Sequence, residues 1–388
     1  MKARALFAVT LFASSCASDA ADPTGDGVET LCDQASDADL LISSTQDATD
    51  ARDTEVVAGD LIICSTKELT EVSLPVLNAV KGNVVIYLNQ ALTEVNLPLL
   101  KTIGDESYDT RAWRGLLLES NNALDTLDLP SLRTVTGHVW IATNDVLTDM
   151  DMPYLSHVAG AIALKATKLV TIAGFDNLRS IGDSLAIYEN EALTEITGLP
   201  NLLTIGNDLL VNDNKELTEI ALGSLRSVGH DMSVSNLAKL DNLNLSSLNI
   251  VGRSVFLSNT AMTNTTGMSG LEVIGEKLVV DNNAKLESLA LPALEAISSD
   301  FEVSKNDALL SVMLDTLTLV GGNMDVSNNG MLELLGATML VDIFGNLIIK
   351  DNDVLPTCAA EALRDDVGVA NIGGDVLIDG NDDSGICI

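Results

Sequence analysis

The chain has 388 residues, of which 46% are hydrophobic and only 3% aromatic, and its formal net charge is −35. So few large rings disfavour one compact globular core and favour stacked Leu, Val and Ile side chains in a repeat architecture. An acidic surface of this size repels phosphate backbones and anionic lipid headgroups, so we expect no nucleic-acid partner. We attribute the charge to solubility; attraction of cations or of a basic partner is the alternative.

The N-terminus is typical of an export signal. A short basic region precedes the apolar stretch 5–13, which is too short to span a bilayer. Small residues then lead to Cys16, and in bacterial lipoprotein signals such a Cys is acylated and becomes the mature N-terminus. Ala13 stands where those signals usually carry Leu. We predict a lipoprotein-type signal peptide over residues 1–16.

The cleavage position has a second interpretation. Ordinary signal cleavage near Ala20 or Ala21 would leave the protein without a lipid. We favour acylation at Cys16, followed by a small, acidic tether over residues 17–27. The chain is then exported and lies at a bacterial outer membrane or cell surface, with the lipid anchor as its only membrane attachment.

A turn glycine recurs along the rest of the chain, mostly every 22 to 24 residues. After it come a short apolar strand, an Asn, a Leu-Thr-x-Ile-like run and a Leu-x-x-Ile/Val run, as in residues 182–205. A fixed period of this length indicates stacked coils, and the apolar alternation indicates short strands with one inward face. The glycines, with Ser299 once in their place, are Gly59, Gly82, Gly115, Gly137, Gly160, Gly182, Gly206, Gly229, Gly252, Gly275, Gly322, Gly345 and Gly374.

This repeat predicts an all-β fold, a leucine-rich solenoid of about fourteen coils. The coils fill residues 59–388, which include a C-terminal cap, and an N-terminal cap covers residues 28–58. Caps are needed because a solenoid exposes apolar edges at both ends. Two fused solenoids are the alternative, although no internal linker interrupts the repeat.

An Asn follows most of the strands. Its amide can bond backbone groups at a tight corner and in the adjacent coil, which predicts a stacked asparagine ladder. A row of exposed, glycan-contacting amides is the alternative. Asn236 and Asn259 come one position earlier than the others, which are Asn89, Asn121, Asn144, Asn190, Asn214, Asn283, Asn306, Asn329, Asn352 and Asn381.

The segment GDLIICSTKELTEVSLPVLNAVKGNVVIYLNQALTEVNLPLL, residues 59–100, is typical of the whole repeat. It resembles the receptor L domain family, the leucine-rich right-handed β-helices of insulin- and EGF-type receptors. The likeness is closer to the fungal and bacterial cell-surface versions and covers roughly residues 28–388. The resemblance implies a right-handed β-helix. It implies little about a ligand, because the family spans hormone receptors and cell-wall proteins.

Four further cysteines lie near the predicted caps. Cys358 and Cys387 each follow an equivalent strand residue by nine positions, so they occupy the same place in successive coils. Stacked coils lie about 4.8 Å apart, within the roughly 4.4–6.8 Å Cα separation of a disulfide. We predict this pair as a disulfide, and a second pair, Cys32 and Cys64, from proximity to the cap and from parity.

No catalytic motif is present. The sequence has no Gly-x-Ser-x-Gly elbow, phosphate loop or His-Glu-x-x-His, and its three histidines, His138, His157 and His230, are dispersed at turns and corners. Its 21 Lys and Arg residues form no cluster of the kind found in polysaccharide-active β-helices. We therefore expect neither an enzyme nor a cofactor or metal site; calcium at the acidic turns is the alternative.

The outward side of the strands is the predicted binding surface. All six Tyr and Trp residues lie between positions 87 and 188, and the one long insertion, about residues 105–114, falls in the same region. Tyr, Trp and insertion loops commonly form the contacts of solenoids. The predicted ligand-binding residues are Ile62, Val85, Tyr87, Tyr108, Trp113, Leu117, Trp140 and Tyr188.

Two functions fit this pattern. The first is a cell-surface binding or adhesion lipoprotein that presents its face to a surface protein or a glycan. The second is a structural envelope protein without a specific ligand, whose rings stack along the ladder or cover the insertion. A polysaccharide-active enzyme is a weaker third.

Overall fold

The computed structural model describes residues 35–105 and 115–386. The chain is nearly all β, with few helices, and its parallel stacked sheets form a β-solenoid of about 13 turns, one fewer than expected. It divides into two compact units. The first unit is Met1–Leu169 with Gly174–Ala186, and the second unit is Val170–Ala173 with Ile187–Ile388.

Several predicted features lie outside the described residues. They are the signal peptide over 1–16, the tether over 17–27, and Cys16, Cys32, Tyr108, Trp113 and Cys387.

The first unit stacks three sets of parallel strands. Its principal sheet holds Leu40–Ile42, Leu61–Cys64, Val84–Tyr87, Gly115–Glu119, His138–Asn144 and Ile162–Thr167. A second sheet holds Val56–Val57, Ala79–Val80, Thr102–Ile103, Thr134–Val135, His157–Val158 and Ser180–Ile181. The third side holds two pairs, Glu71–Ser73 with Glu94–Asn96 and Thr126–Asp128 with Asp149–Asp151.

The second unit repeats this plan. Its principal sheet holds Leu209–Asn212, Met232–Leu237, Val255–Thr260, Leu278–Asp281, Phe301–Ser304, Met324–Ser327, Leu347–Lys350 and Val376–Asp379. Its second sheet holds Thr204–Ile205, Ser227–Val228, Ile250–Val251, Val273–Ile274, Ala296–Ile297, Leu319–Val320 and Asp342–Ile343. Its third side holds Thr171–Ile172, Glu195–Ile196, Glu219–Ala221 and Asn242–Asn244, then Ser288–Ala290, Ser311–Met313 and Leu334–Gly336. The strand Leu185–Tyr188 spans the boundary of the units.

Short helices lie near both ends of the described chain. The helix Thr45–Asp50 follows Ser44, whose hydroxyl accepts the N–H of Asp47 and so caps its N-terminus. The helix Thr357–Val367 buries Ala360, Leu363 and Val367. Two 3-10 helices, Thr266–Met268 and Val369–Asn371, complete the helical segments of the described residues.

The predicted N-terminal cap differs from the structure in one respect. Its strand Leu40–Ile42 already pairs in parallel with Leu61–Cys64, so the principal sheet begins before residue 59. The cysteine pairs stay predictions. Cys64 ends this second strand, and the Sγ of Cys358 lies 3.8 Å from the carbonyl oxygen of Gly385, two residues before Cys387.

The predicted asparagine ladder is confirmed. In the second unit, Oδ1 of Asn306 accepts the N–H of Asn283 at 3.0 Å, and its Nδ2 donates to the carbonyl of Val280 at 2.9 Å. Each amide thus joins its coil to the preceding one. In both units the ladder residues are buried apart from the terminal Asn381, which is half-buried. Burial contradicts the alternative of exposed glycan-contacting amides.

A second polar ladder, which was not predicted from the sequence, lies directly before the strands of the principal sheet. Oδ1 of Asp60 accepts the N–H of Asn83 at 2.7 Å, and Oδ1 of Asp231 accepts the N–H of Ser254 at 2.8 Å. We call this the pre-strand ladder. Its position directly after the turn glycine is visible in Gly59-Asp60 and Gly322-Asn323, but some coils, such as Gly229-His230-Asp231, insert one more residue and obscure the pattern.

The turn glycines are required by the closeness of the coils. A Cβ on Gly229 would lie 1.8 Å from the carbonyl oxygen of Gly206, and one on Gly252 would lie 2.0 Å from that of Gly229. Neither distance is compatible with any side chain. The period of the sequence therefore reports backbone contact between successive coils.

One residue per coil adopts a left-handed conformation directly after the outward strand residues. In the first unit these residues are Ser65, Leu88, Ser120, Thr143 and Ala166. In the second unit they are Glu189, Asp213, Asn236, Asn259, Asn282, Lys305, Asn328 and Asp351, and Gly380 closes the series. Asn236 and Asn259 therefore belong to this exposed row and not to the buried ladder.

Candidate ligand-binding surface

The outward face of the principal sheet is formed by strand residues that alternate with the core residues. In the first unit it was predicted to be exposed, and this prediction is wrong. Ile62, Val85, Leu117 and Trp140 are only 1%, 0%, 0% and 4% exposed. Apolar side chains withdrawn from water contribute to stability and offer no surface to a ligand.

The ring of Trp140 is buried and its N–H is hydrogen-bonded within the protein. Its indole N–H donates to Oε2 of Glu119 at 3.1 Å, and the Glu119 side chain is buried as well. The two residues lie on adjacent strands, where Ala142 is opposite Glu119. A buried ring with a satisfied N–H is an element of packing, so Trp140 is not an exposed anchor.

The two remaining tyrosines of the prediction are half-buried. Tyr87 lies in the first unit between Cys64 and Glu119, and Tyr188 lies in the second unit. Tyr154, which was not selected from the sequence, is 59% exposed. Aromatic composition alone therefore does not identify the accessible rings.

In the second unit part of the outward face is accessible, although Leu210, Ser258 and Ser304 are buried. One row of it holds Phe256, Val279, Asp325 and Ile348, which are half-buried, and Glu302, which is exposed. We call these five residues the outward row. Two acidic side chains lie between apolar ones on neighbouring strands in register, with Val279 opposite Glu302 and Glu302 opposite Asp325.

Polar side chains border the outward row. The hydroxyl of Ser258 bonds Asp281 on the next strand, and that of Ser304 donates to Oε1 of Glu302 at 3.2 Å. Within the described residues, Oδ1 of Asp325 is buried and accepts no hydrogen bond. A buried acceptor without a donor costs about 1–3 kcal/mol, so this oxygen lowers the stability of the fold.

Two of the histidines make hydrogen bonds to the next coil. Nδ1 of His138 accepts the N–H of Ala161 at 3.0 Å, as one rung of the pre-strand ladder. Burial lowers the pKa of His138, opposed by the charge of Asp183, so the neutral ring is favoured. Its stabilising contribution is present above pH 6.5 and is lost as the pH falls below that ordinary value. His157 is exposed, with Nδ1 2.8 Å from the hydroxyl of Ser180.

The acidic turns do not assemble a metal site in the described residues. No group of three or more His, Cys, Asp or Glu there could hold a metal ion. Asn214 and Asn352, which lie in two of the acidic turns, direct their amides into the buried ladder. On the third side, burial and then the charges of Asp128, Asp176 and Asp149 raise the pKa of Asp151.

Comparison with known proteins adds little. No family model matches the chain, and no curated protein matches it. Among solved structures it is similar to a chain in the crystal structure of a TLR13–ssRNA13 complex, at 13% identity and a TM-score of 0.15. The match covers 82% of this chain and 66% of that one, slightly less than two thirds of its length. Such a TM-score supports no conclusion about ligand.

None of the helices in residues 35–105 and 115–386 is long and apolar enough to cross a bilayer.

Proposed function

We propose that the chain is an exported binding protein that presents the outward row of its second unit to a surface protein or a glycan. The observation that carries this proposal is a contrast between rows of one sheet. The inward residues Val280, Val303 and Val326 are identical in three successive coils and fully buried. The outward neighbours Val279, Glu302 and Asp325 differ from coil to coil and reach solvent.

Such variation favours binding over a purely structural role. A solenoid that only fills space needs a uniform, soluble outer surface. Val279 and Ile348 instead place apolar area beside the carboxylates of Glu302 and Asp325, the mixture found where proteins contact partners.

The proposal is tested by screening the exported chain against surface proteins and glycans, and by repeating each positive with two variants. Glu302→Arg reverses a charge in the outward row and is expected to abolish binding. Glu295→Arg reverses an equally exposed charge elsewhere in the same unit and is expected to leave binding unchanged. Equal effects of the two variants, or no binding at all, would favour the structural envelope protein.

Location and family belong to the same proposal. We propose that acylated Cys16 holds the protein at a bacterial outer membrane or cell surface, as the signal-like N-terminus indicates. Cys16→Ser should release it from the membrane fraction, and retention would contradict the anchor.

The resemblance to receptor L domains is compatible with the stacked parallel sheets and remains an interpretation of the repeat. The Cys358–Cys387 pair is tested by mass spectrometry of unreduced peptides.

A further inference from the structure

The last strand of the principal sheet, Val376–Asp379, has a free edge. It pairs in parallel with Leu347–Lys350, and among the described residues no strand pairs with its other side. In the preceding coil the inward residues Leu347 and Ile349 are fully buried. The equivalent Val376 and Ile378 are only half-buried, and Leu377 between them is 44% exposed. The core of the solenoid reaches solvent here.

The backbone of this strand is ready for a further parallel strand. In the coil before, the N–H of Leu347 donates to the carbonyl of Asp375 at 3.0 Å, and that of Asp351 donates to the carbonyl of Asp379 at 3.0 Å. By the repeat, the N–H groups of Val376 and Gly380 hold the same positions at the free edge. Unpaired backbone groups at a sheet edge form a template for another chain.

Both polar ladders also end at this edge with one partner missing. Asp375 donates its N–H to Oδ1 of Asn346 at 2.7 Å, so its carboxylate is the acceptor in the next rung of the pre-strand ladder. Asn381 accepts the N–H of Asn352 at 3.3 Å. In the part of the chain that the structure describes, nothing donates to the Asp375 carboxylate and nothing accepts the backbone N–H of Asn381.

The negative charge of the edge strand determines which kind of segment can bind beside it. Asp375 and Asp379 are exposed at the two ends of the edge strand. Within the fold, Lys277 lies directly before its strand, and its Nζ is 2.8 Å from Oδ2 of Asp300, the pre-strand residue of the next coil. A basic residue before an added strand would lie beside Asp375 on the adjacent strand, with the order of the pair reversed, since Lys277 precedes Asp300 and the added strand would follow Asp375. Another copy of this acidic edge would be repelled.

We propose that the edge strand Val376–Asp379 binds an extended segment of a basic partner protein as an added parallel strand. Alternate apolar residues of the segment cover Val376 and Ile378, a backbone N–H bonds the Asp375 carboxylate, and a Lys or Arg before the segment pairs with the same carboxylate. This site adjoins Ile348, the last residue of the outward row, but it uses the edge of the strand and does not depend on a ligand at that row.

The test uses the full exported chain and a fluorescent peptide that copies Lys277–Asn283, a segment with the required pattern. Fluorescence anisotropy should show saturable binding that weakens with salt. Asp375→Lys should weaken it at least tenfold, and a peptide with Glu at the Lys277 position should regain binding to Asp375→Lys. A peptide with proline at alternate positions should not bind, because it lacks the paired N–H groups.

Two control variants distinguish binding at this edge from binding at other acidic surfaces of the protein. Asp241→Lys, an exposed charge reversal elsewhere in the second unit, should leave peptide binding unchanged, as should Glu302→Arg in the outward row. Circular dichroism and the thermal midpoint establish that each variant is folded. If the peptide binds Asp375→Lys with the same affinity as the unmodified protein, the proposal is overturned. Sedimentation could instead show a concentration-dependent dimer whose affinity changes in Asp375→Lys. That result would assign the edge to a second copy of the chain and would also overturn the proposal.

Discussion

The two units have interiors of the same kind, but they differ in the burial of the outward residues of the principal sheet. Inward strand residues and ladder asparagines are buried in both. The outward residues Val85 and Trp140 of the first unit are buried as well, whereas Val279 and Glu302 of the second are accessible. Stacking constrains every inward position to one shape, because each coil must fit the next. Outward positions escape that constraint, so they diverge and can acquire separate roles.

The largest expected loss of folding stability follows a substitution in the outward face of the first unit. Trp140→Ala removes a buried ring together with the indole N–H that donates to Glu119, so we expect a loss of about 3–5 kcal/mol. Phe256→Ala, the matched change in the second unit, removes a half-buried ring and should cost about 1 kcal/mol. Thermal and urea unfolding of both variants measure the difference. Similar losses would mean that the two faces are not distinct.

The next effect tests what the units have in common. Asn306→Ala in the second unit and Asn121→Ala in the first each leave a neighbouring buried N–H without its acceptor, at a cost of about 2–3 kcal/mol. Asn242→Ala, at an exposed strand position outside the ladder, should change stability by less than about 0.5 kcal/mol. Urea unfolding should give equal losses for the first two; a loss confined to one unit would contradict a shared ladder.

A smaller effect concerns the left-handed row. Thr143 of the first unit is β-branched at φ 52°, a conformation that suits Gly, whereas the second unit mostly uses Asn and Asp there. Thr143→Gly should therefore stabilise the protein by about 1 kcal/mol. Asn328→Gly, at φ 58°, should change little. Paired thermal midpoints measure both, and an equal response would show that side-chain type does not matter at this turn.

The smallest effect concerns the pre-strand ladder, where both units bury a carboxylate that an amide could replace. Burial is the main cause that raises the pKa of Asp60 and of Asp231. A raised folded pKa means that the charged form disfavours folding, a cost that is absent below pH 3.8 and grows as the pH rises through the folded pKa. Asp60→Asn and Asp231→Asn should raise the thermal midpoint at pH 7.

The pH profile of those two variants is the decisive measurement. Asn already occupies the same position at Asn83 and Asn323 and accepts or donates there without charge. The gain should shrink as the pH approaches 3.8, because the wild-type carboxylates are then protonated. A gain that is independent of pH would show that the charge is not its cause.

The interior of the fold could be predicted from the sequence, and the accessible surface could not. The period of the glycines and the buried asparagines follows from contacts between identical positions of adjacent coils, so both appear directly in the repeat. Alternation within Val84–Tyr87 indicates which side Val85 faces. It carries no information on whether that side is open to solvent, since exposure depends on residues distant in sequence. For this reason Ile62, Leu117 and Trp140 were assigned to the wrong environment.

The backward direction of the ladder amides has an evolutionary consequence. Nδ2 of Asn329 donates to Val303 and its Oδ1 accepts from Asn306, both in the coil before, and Asn352 repeats this one coil later. Each coil is thus tied only to its two neighbours, and each neighbour supplies the same short set of groups. A gene segment that encodes one whole coil could be duplicated or deleted without a compensating mutation elsewhere. Length is then the property of this protein that natural variation changes most easily, while an insertion of any other size must be absorbed at a turn.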